Sequence, residues 1–327
     1  MDEEFVLGID VGATRTRICL GTVDGMIHVK YVYRTVEIAP DLSKFIINEI
    51  KKLFSEYIRK VIGIGIASIG PLDLKRGVIL SPPNAPFRNV EIVSKVRKAY
   101  GLDAFLINDA VAAAWAEKVY GLGRSAENLV YITLSTGIGA GVIVDDNLLI
   151  GKDGNAHEVG HIVIDSFGLM KCGCGGYGHW EAYCSGANAP RFVAKLVYEK
   201  YKDEAGRSAL YGDVLEGKLN TEKLFEYAKR GDGLALKIVK EEIGKLNAAG
   251  IASVINCYDP EIVFLGGAIA LNNEDLVLKP ILRYIDMYAT NRKPTISLTC
   301  FGEDVVLKGA IAVVVKTPRT LKEYYEP

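Results

Sequence analysis

Glutamine is missing from the whole chain of 327 residues. Loss of a thermolabile amide is one mark of thermophilic proteins, although asparagine is not depleted beside it. A charge excess is lacking as well: 39 lysines and arginines stand against 40 aspartates and glutamates, a net charge of -1. That balance argues against a nucleic-acid binder, which normally carries a basic excess or stripe. No apolar run is long enough to span a bilayer, since 61–72 is broken by glycine and 310–315 is too short. Asp2, Glu3 and Glu4 at the start carry the wrong sign for a secretory or mitochondrial leader. Six cysteines in a chain of this size do not make a disulfide framework. What remains is ordinary globular composition, 49% hydrophobic and 24% charged, at a length suited to two linked domains. The expectation is a soluble, cytoplasmic protein that binds neither membrane nor nucleic acid.

Residues 5–10 form an apolar run ending in Asp10, and β-prone runs follow at 16–23 and 27–36 across the turn Asp24-Gly25. Asp41 is placed to cap a helix whose apolar positions Leu42, Phe45, Ile46, Ile50, Leu53, Phe54, Tyr57 and Ile58 keep the 3.6-residue period. A strand at 61–67, a helix near 90–100, a strand at 104–107 and a helix at 109–120 come next. This order predicts a mixed sheet with helices packed on it, an α/β fold. The pattern then restarts with a strand at 129–134, a glycine turn at 136–139 and strands at 140–144 and 148–150. We read two copies of one fold with a cleft between them. The second copy is enlarged by a Cys/His loop, helices at 183–201 and 221–230, a long helix over 233–258 and a strand at 261–265 before Gly266-Gly267. The apolar stretch 307–315 reads as a final helix. The expected division is 1–112 with about 305–327 as the smaller domain, and 113–304 as the larger one with a zinc loop at 155–186.

Glycine turns at strand ends expose consecutive backbone N–H groups that suit phosphate oxygens. Asp10-Val11-Gly12-Ala13-Thr14-Arg15 offers such a turn with a carboxylate able to hold Mg²⁺ through water, a hydroxyl and a cation. Ser135-Thr136-Gly137-Ile138-Gly139 supplies a matching turn in the second half. Neither is a P-loop. Asn108-Asp109 puts a carboxylate where a strand ends and a helix begins, as a helix cap or as a general base at the mouth of the sheet. Cys172 and Cys174 lie one residue apart, with His179 five beyond Cys174 and His161 eleven before Cys172. This spacing predicts a closed Cys₂His₂ structural zinc site, for which Cys184 is an alternative to His179 and His157 a weaker histidine. Such a site would pin the loop that carries Glu158 and Glu181, carboxylates suited to sugar hydroxyls.

Taken together, these residues resemble the ROK family (repressors, open reading frames and kinases), in its glucokinase/hexokinase branch. The resemblance covers nearly the whole chain. It rests on Asp10–Arg15, Gly70-Pro71-Leu72-Asp73, Pro83-Asn84, Asn108-Asp109, residues 136–141, Glu158-Val159-Gly160-His161, the loop 172–181, and Asp259-Pro260-Glu261 leading to Gly266-Gly267. It implies an actin-like (ribonuclease H-like) kinase of two domains around a central cleft, each a mixed five-stranded sheet flanked by helices. It also implies ATP with Mg²⁺, a structural Zn²⁺ and a hexose substrate. By this resemblance Asp109 is the base for the sugar 6-hydroxyl, while Asn84, Asn108, Glu158, His161 and Glu181 hold the ring. Asp10, Gly12, Thr14, Arg15, Thr136 and Gly137 meet the Mg²⁺–polyphosphate, and Gly266 and Gly267 the adenosine. His161 would serve zinc with one ring nitrogen and the sugar with the other. Three positions depart from the family's habit: Ala13 replaces a glycine, Arg15 a lysine, and His179 the third zinc cysteine.

Glucose is the expected sugar, with N-acetylmannosamine, N-acetylglucosamine or fructose as alternatives. The family commonly forms dimers or tetramers. A non-catalytic sugar sensor is the rival from another class. The family's DNA-binding repressors carry a helix-turn-helix before the first phosphate motif, and none is expected with Asp10 so close to the start.

Overall fold

The computed structural model describes residues 4–82 and 85–325. Strands β1 (Phe5–Val11), β2 (Arg15–Thr22) and β3 (Ile27–Arg34) are joined by tight turns and pair antiparallel. β4 (Val61–Ser68) runs parallel to β1. Three two-residue strands, β5 (Leu72–Asp73), β6 (Val78–Ile79) and β7 (Val90–Glu91), form a small sheet of their own. β8 (Ala104–Asn108) then adds parallel to β4, giving the order β3-β2-β1-β4-β8. β1 is buried at every residue, as a strand covered on both faces must be, whereas the edge strand β3 is mostly exposed. The second five-stranded sheet has β9 (Leu129–Leu134), β10 (Ile138–Val144), β11 (Asn147–Leu148), β12 (Ile262–Gly266) and β13 (Thr295–Leu298) in the order β11-β10-β9-β12-β13.

The helix Leu42–Phe54 starts where Asp41 accepts the Lys44 amide at 3.3 Å, and it buries Leu42, Ile46, Ile50 and Phe54 along one stripe. Each such side chain contributes about 1.5–3 kcal/mol. The apolar helix Val305–Val315 lies on the first sheet so closely that a Cβ at Gly65 would sit 1.8 Å from the Ala310 carbonyl oxygen. Only glycine permits that approach.

Several of the expected elements need amendment: β10 begins at Ile138, inside the turn expected over 136–139, and the strand expected at 148–150 is Asn147–Leu148. The strand over 27–36 stops at Arg34, and the helix near 90–100 begins at Val93 because Val90–Glu91 pairs as β7. The helix expected over 183–201 is two helices, Glu181–Cys184 and Ala189–Glu199. The break arises because the amides of Gly186 and Ala187 bond to the carbonyls of Ser135 and Thr136, at 2.7 and 3.1 Å, instead of to their own helix. The long helix over 233–258 holds its length but widens to a π-turn at Ile238–Ile243, next to which Pro280 presses on Gly244. Helices Gly267–Asn272, Glu274–Tyr284 and Arg319–Tyr325 and strand β13 are additions to the expected list.

The chain forms two units, 1–131 with 141–157 and 299–327, and 132–140 with 158–298. The boundary expected at 112 falls inside the helix Asp109–Val119, which stays whole in the first unit. Its packing explains this: Gly309 approaches Ala112 so closely that a Cβ would lie 2.0 Å from the Ala112 oxygen. Among the described residues no helix is long and apolar enough to cross a membrane.

Candidate active site

In the first unit, the expected residues gather where parallel strands end. Val11, Ser68 and Asn108 stand in register across β1, β4 and β8, so the turn after β1 and the Asn108-Asp109 pair share one end of the sheet. Ligands of open α/β sheets bind at that end. The turn itself closes through the Gly12 amide and the Arg15 carbonyl at 3.0 Å. Thr35 braces it from β3's end: its hydroxyl donates to the Gly12 carbonyl at 2.8 Å, and its amide to the Thr14 carbonyl at 2.9 Å. Thr14 and Arg15 are exposed and have room to meet a ligand.

Asp10 is buried, and its Oδ2 accepts both Nε and a terminal nitrogen of Arg17 at 2.7 Å. Burial raises the Asp10 pKa, and the Arg17 guanidinium opposes it. Arg17 was not among the sequence candidates. Its signal lies in the antiparallel β1–β2 register, which sets Asp10 directly opposite Arg17.

Asn108 and Asp109 divide two tasks. The Asn108 side-chain oxygen accepts the amides of Ala110 at 3.0 Å and Val111 at 3.3 Å, which makes it the cap of the helix Asp109–Val119. Asp109 is the first helical residue, half-buried, and its Oδ1 also meets the Ala110 amide at 2.8 Å. The cap therefore belongs to Asn108. Asn84 lies outside the described residues.

The second unit brings together the other turn, the Cys/His loop and Gly266-Gly267. The turn after β9 closes through the Ser135 amide and the Gly137 carbonyl at 3.0 Å and leaves Thr136 exposed. Gly267 has φ +83°, and a Cβ there would lie 2.5 Å from the Leu134 carbonyl oxygen, so the backbone of 266–267 lies against the end of β9. Glu181 reaches the same turn: its Oε2 accepts the Ile138 amide at 2.9 Å. Its other oxygen lies 3.8 Å from the Cys172 Sγ.

The donor atoms of His161, Cys172, Cys174 and His179 all lie within 4.8 Å of one another. His161 Nδ1 is 3.8 Å from the Cys172 Sγ, and His179 Nδ1 is 3.2 Å from the Cys174 Sγ. Zinc bonds of roughly 2.0–2.3 Å at tetrahedral angles require ligand separations of this size. The donor set therefore fits zinc. Without a metal, burial pushes the Cys172 thiol up to about 11, the reverse of what a zinc thiolate experiences. His161 Nε2 points the other way, 3.7 Å from Glu158. Cys184 does not join this set. It is buried with its Sγ 3.8 Å from the Ile243 carbonyl, and burial raises its thiol pKa. His157 is also elsewhere, with Nε2 2.8 Å from the Gly154 carbonyl.

The ROK family model matches residues 6–316. A glucokinase of Pyrobaculum calidifontis is 40% identical over 98% of both chains. Among solved structures, a ROK family glucokinase from Streptomyces griseus in complex with glucose and AMPPNP is 29% identical and has a TM-score of 0.72, covering 94% of this chain and 98% of that one. A ROK family transcriptional regulator, a homologue of the E. coli MLC protein, is 27% identical at a TM-score of 0.80, covering 95% of this chain and 77% of that one. With the motifs, the two sheets and a match over almost all of its length in agreement, the chain belongs to the ROK family.

Proposed function

We propose that the chain phosphorylates glucose at its 6-hydroxyl, with Asp109 as the general base. The chain is an ATP-dependent hexokinase of the glucokinase type. The observation that carries the role of Asp109 is the division of labour at the end of β8: Asn108 caps the helix, so capping does not account for the carboxylate beside it. As the sugar oxygen bonds to the γ-phosphorus, the bond from that phosphorus to the β-phosphate oxygen breaks and ADP leaves. Asp109 takes the hydroxyl proton and later gives it to solvent. Phosphoryl transfer depends chiefly on position and charge neutralisation, so the base acts late and the two turns do most of the holding.

On this reading Gly12, Thr14, Arg15, Thr136 and Gly137 hold the polyphosphate, Asp10 would hold its Mg²⁺ through water, and Gly266-Gly267 faces the adenosine. Asn84, Asn108, Glu158, His161 and Glu181 hold the ring hydroxyls. His161, Cys172, Cys174 and His179 hold a structural zinc, which fixes the loop and takes no part in bond making. The Nδ1 of His161 turned to Cys172 supports this, because it leaves Nε2 on the Glu158 side for the sugar. Use of ATP as donor agrees with a cytoplasmic site of action.

A coupled assay over glucose, mannose, fructose, glucosamine and the N-acetylhexosamines, with ATP, ADP and polyphosphate as donors, tests the proposal. The account expects glucose with ATP to give the highest kcat/KM. Binding of sugar with no transfer from any donor would instead mark a sugar-sensing regulator. A kinase that prefers an N-acetylhexosamine or fructose would correct the substrate alone.

A further inference from the structure

The last described helix, Arg319–Tyr325, lies beyond residue 316, where the family match ends. It nevertheless reaches the strand that leads into Asn108 and Asp109. Among the described residues β8 is an outer strand, with β4 on one side only. Successive residues of a parallel strand turn their N–H and C=O to opposite edges. The Asp103 carbonyl accepts from Ile64 of β4's strand, so Ala104, Leu106 and Asn108 face the open edge. Ala104 and Leu106 find partners there. The Ala104 carbonyl accepts from Arg97 at 2.9 Å. The Leu106 amide donates to the Tyr325 hydroxyl oxygen at 3.0 Å, and that hydroxyl donates to the Leu106 carbonyl at 3.3 Å. Asn108 caps the helix that begins with Asp109.

One hydroxyl thus meets both polar groups of Leu106, as a neighbouring strand would. The Tyr325 ring is held in place as well, edge-on to Phe105 with centroids 5.6 Å apart, and 5.1 Å below the Arg97 guanidinium. Burial pushes the Tyr325 hydroxyl up to about 12, so at neutral pH it keeps the proton it donates. The helix behind it is anchored. Leu321 is fully buried, the Thr320 hydroxyl donates to the Leu148 carbonyl at 2.8 Å, and the Tyr324 hydroxyl to the Gly151 carbonyl at 2.7 Å.

We propose that Tyr325 is a positioning residue for phosphoryl transfer: its hydroxyl replaces a missing strand at the edge of β8 and fixes the segment that presents Asp109. This rests on Asp109 being the base. A base displaced by a fraction of an ångström loses rate while the turns that hold ATP stay intact, so the effect belongs in kcat and not in the KM for ATP; any change in the KM for sugar comes through Asn108 on the same segment.

Tyr325→Phe removes the hydroxyl and keeps both ring contacts. In the full-length chain, the expected result is a kcat lower by about three- to tenfold, the scale of one hydrogen bond. The KM for ATP stays within about twofold, and the Leu106 amide exchanges hydrogen faster than in the unaltered chain. An unchanged kcat overturns the proposal even if exchange accelerates, because the tail then only covers an edge. Unchanged exchange at Leu106 overturns it too, because the contact then does not hold the strand. Asp109→Asn in the same assay separates the two claims. If Asp109→Asn is inactive while Tyr325→Phe behaves as the unaltered chain, the tail proposal fails alone. If Asp109→Asn is active, the base fails and the tail proposal with it.

Discussion

Arg15 and Arg17 sit two residues apart and serve different ends. Arg17 is committed to Asp10, to the Glu303 carbonyl at 2.7 Å and, at 3.6 Å, to Asp304. Removing it would strand a buried carboxylate, a strongly destabilising change. Arg15 is exposed at the turn, and its charge is available to a phosphate. Arg15→Ala is therefore expected to raise the KM for ATP about tenfold and leave the KM for sugar within twofold, in initial-rate measurements. An equal loss for both substrates would assign Arg15 to the fold.

Glu117, like Asp10, is a buried carboxyl. It is fully buried in the helix Asp109–Val119 and accepts the Thr299 hydroxyl at 2.5 Å. Burial raises its pKa, partly offset by that hydrogen bond. A carboxyl whose folded pKa is raised holds its proton more tightly in the folded state. Its contribution is fully present below the ordinary carboxylate range and is lost as pH rises through the folded value. At neutral pH the buried carboxyl is therefore a cost to the folded state. Glu117→Gln keeps an acceptor for Thr299 and carries no charge, so Tm is expected to rise at pH 7 and the gain to shrink toward pH 4. A gain that grows on acidification would contradict this assignment.

At the scale of elements, the Cys/His loop couples two parts of the second unit. Glu181 follows His179 by two positions and bonds the Ile138 amide in the turn after β9. A Cβ at Gly137 would stand 2.7 Å from the same Glu181 oxygen, so the fit is close. Cys172→Ser is expected to lower the zinc content from about one per chain, to lower Tm, and to weaken sugar binding by titration calorimetry. Full zinc occupancy or unaltered sugar affinity in that variant would sever the loop from the site.

The elements also show how far the sequence carried. Strands with unbroken apolar runs, such as β1 and β9, and the capped helix Leu42–Phe54 were legible because each follows from local pattern and chemistry. The Cys₂His₂ set was legible from spacing, and the structure brings its donors together. The break at 185–188 was not, because its cause lies some fifty residues away in the turn at Ser135-Thr136. β13 is four residues long at a sheet edge, too short for a period to show. Arg17 and Tyr325 were missed for a related reason: each acts through a partner named only by strand register or by the path of the tail.

For the molecule as a whole, ROK membership allows both enzymes and regulators, and the chemistry at the end of β8 distinguishes them. The most direct measurement is the kcat of Asp109→Asn beside the unaltered chain, with glucose and ATP saturating and folding verified by circular dichroism. Asparagine keeps the shape and can still hydrogen-bond the 6-hydroxyl, but it cannot take the proton. A positioned base contributes about 10²–10⁴-fold. The account predicts a kcat at least roughly 10²-fold lower, with glucose affinity changed far less. A folded Asp109→Asn chain that makes glucose 6-phosphate at a near-normal rate would contradict it.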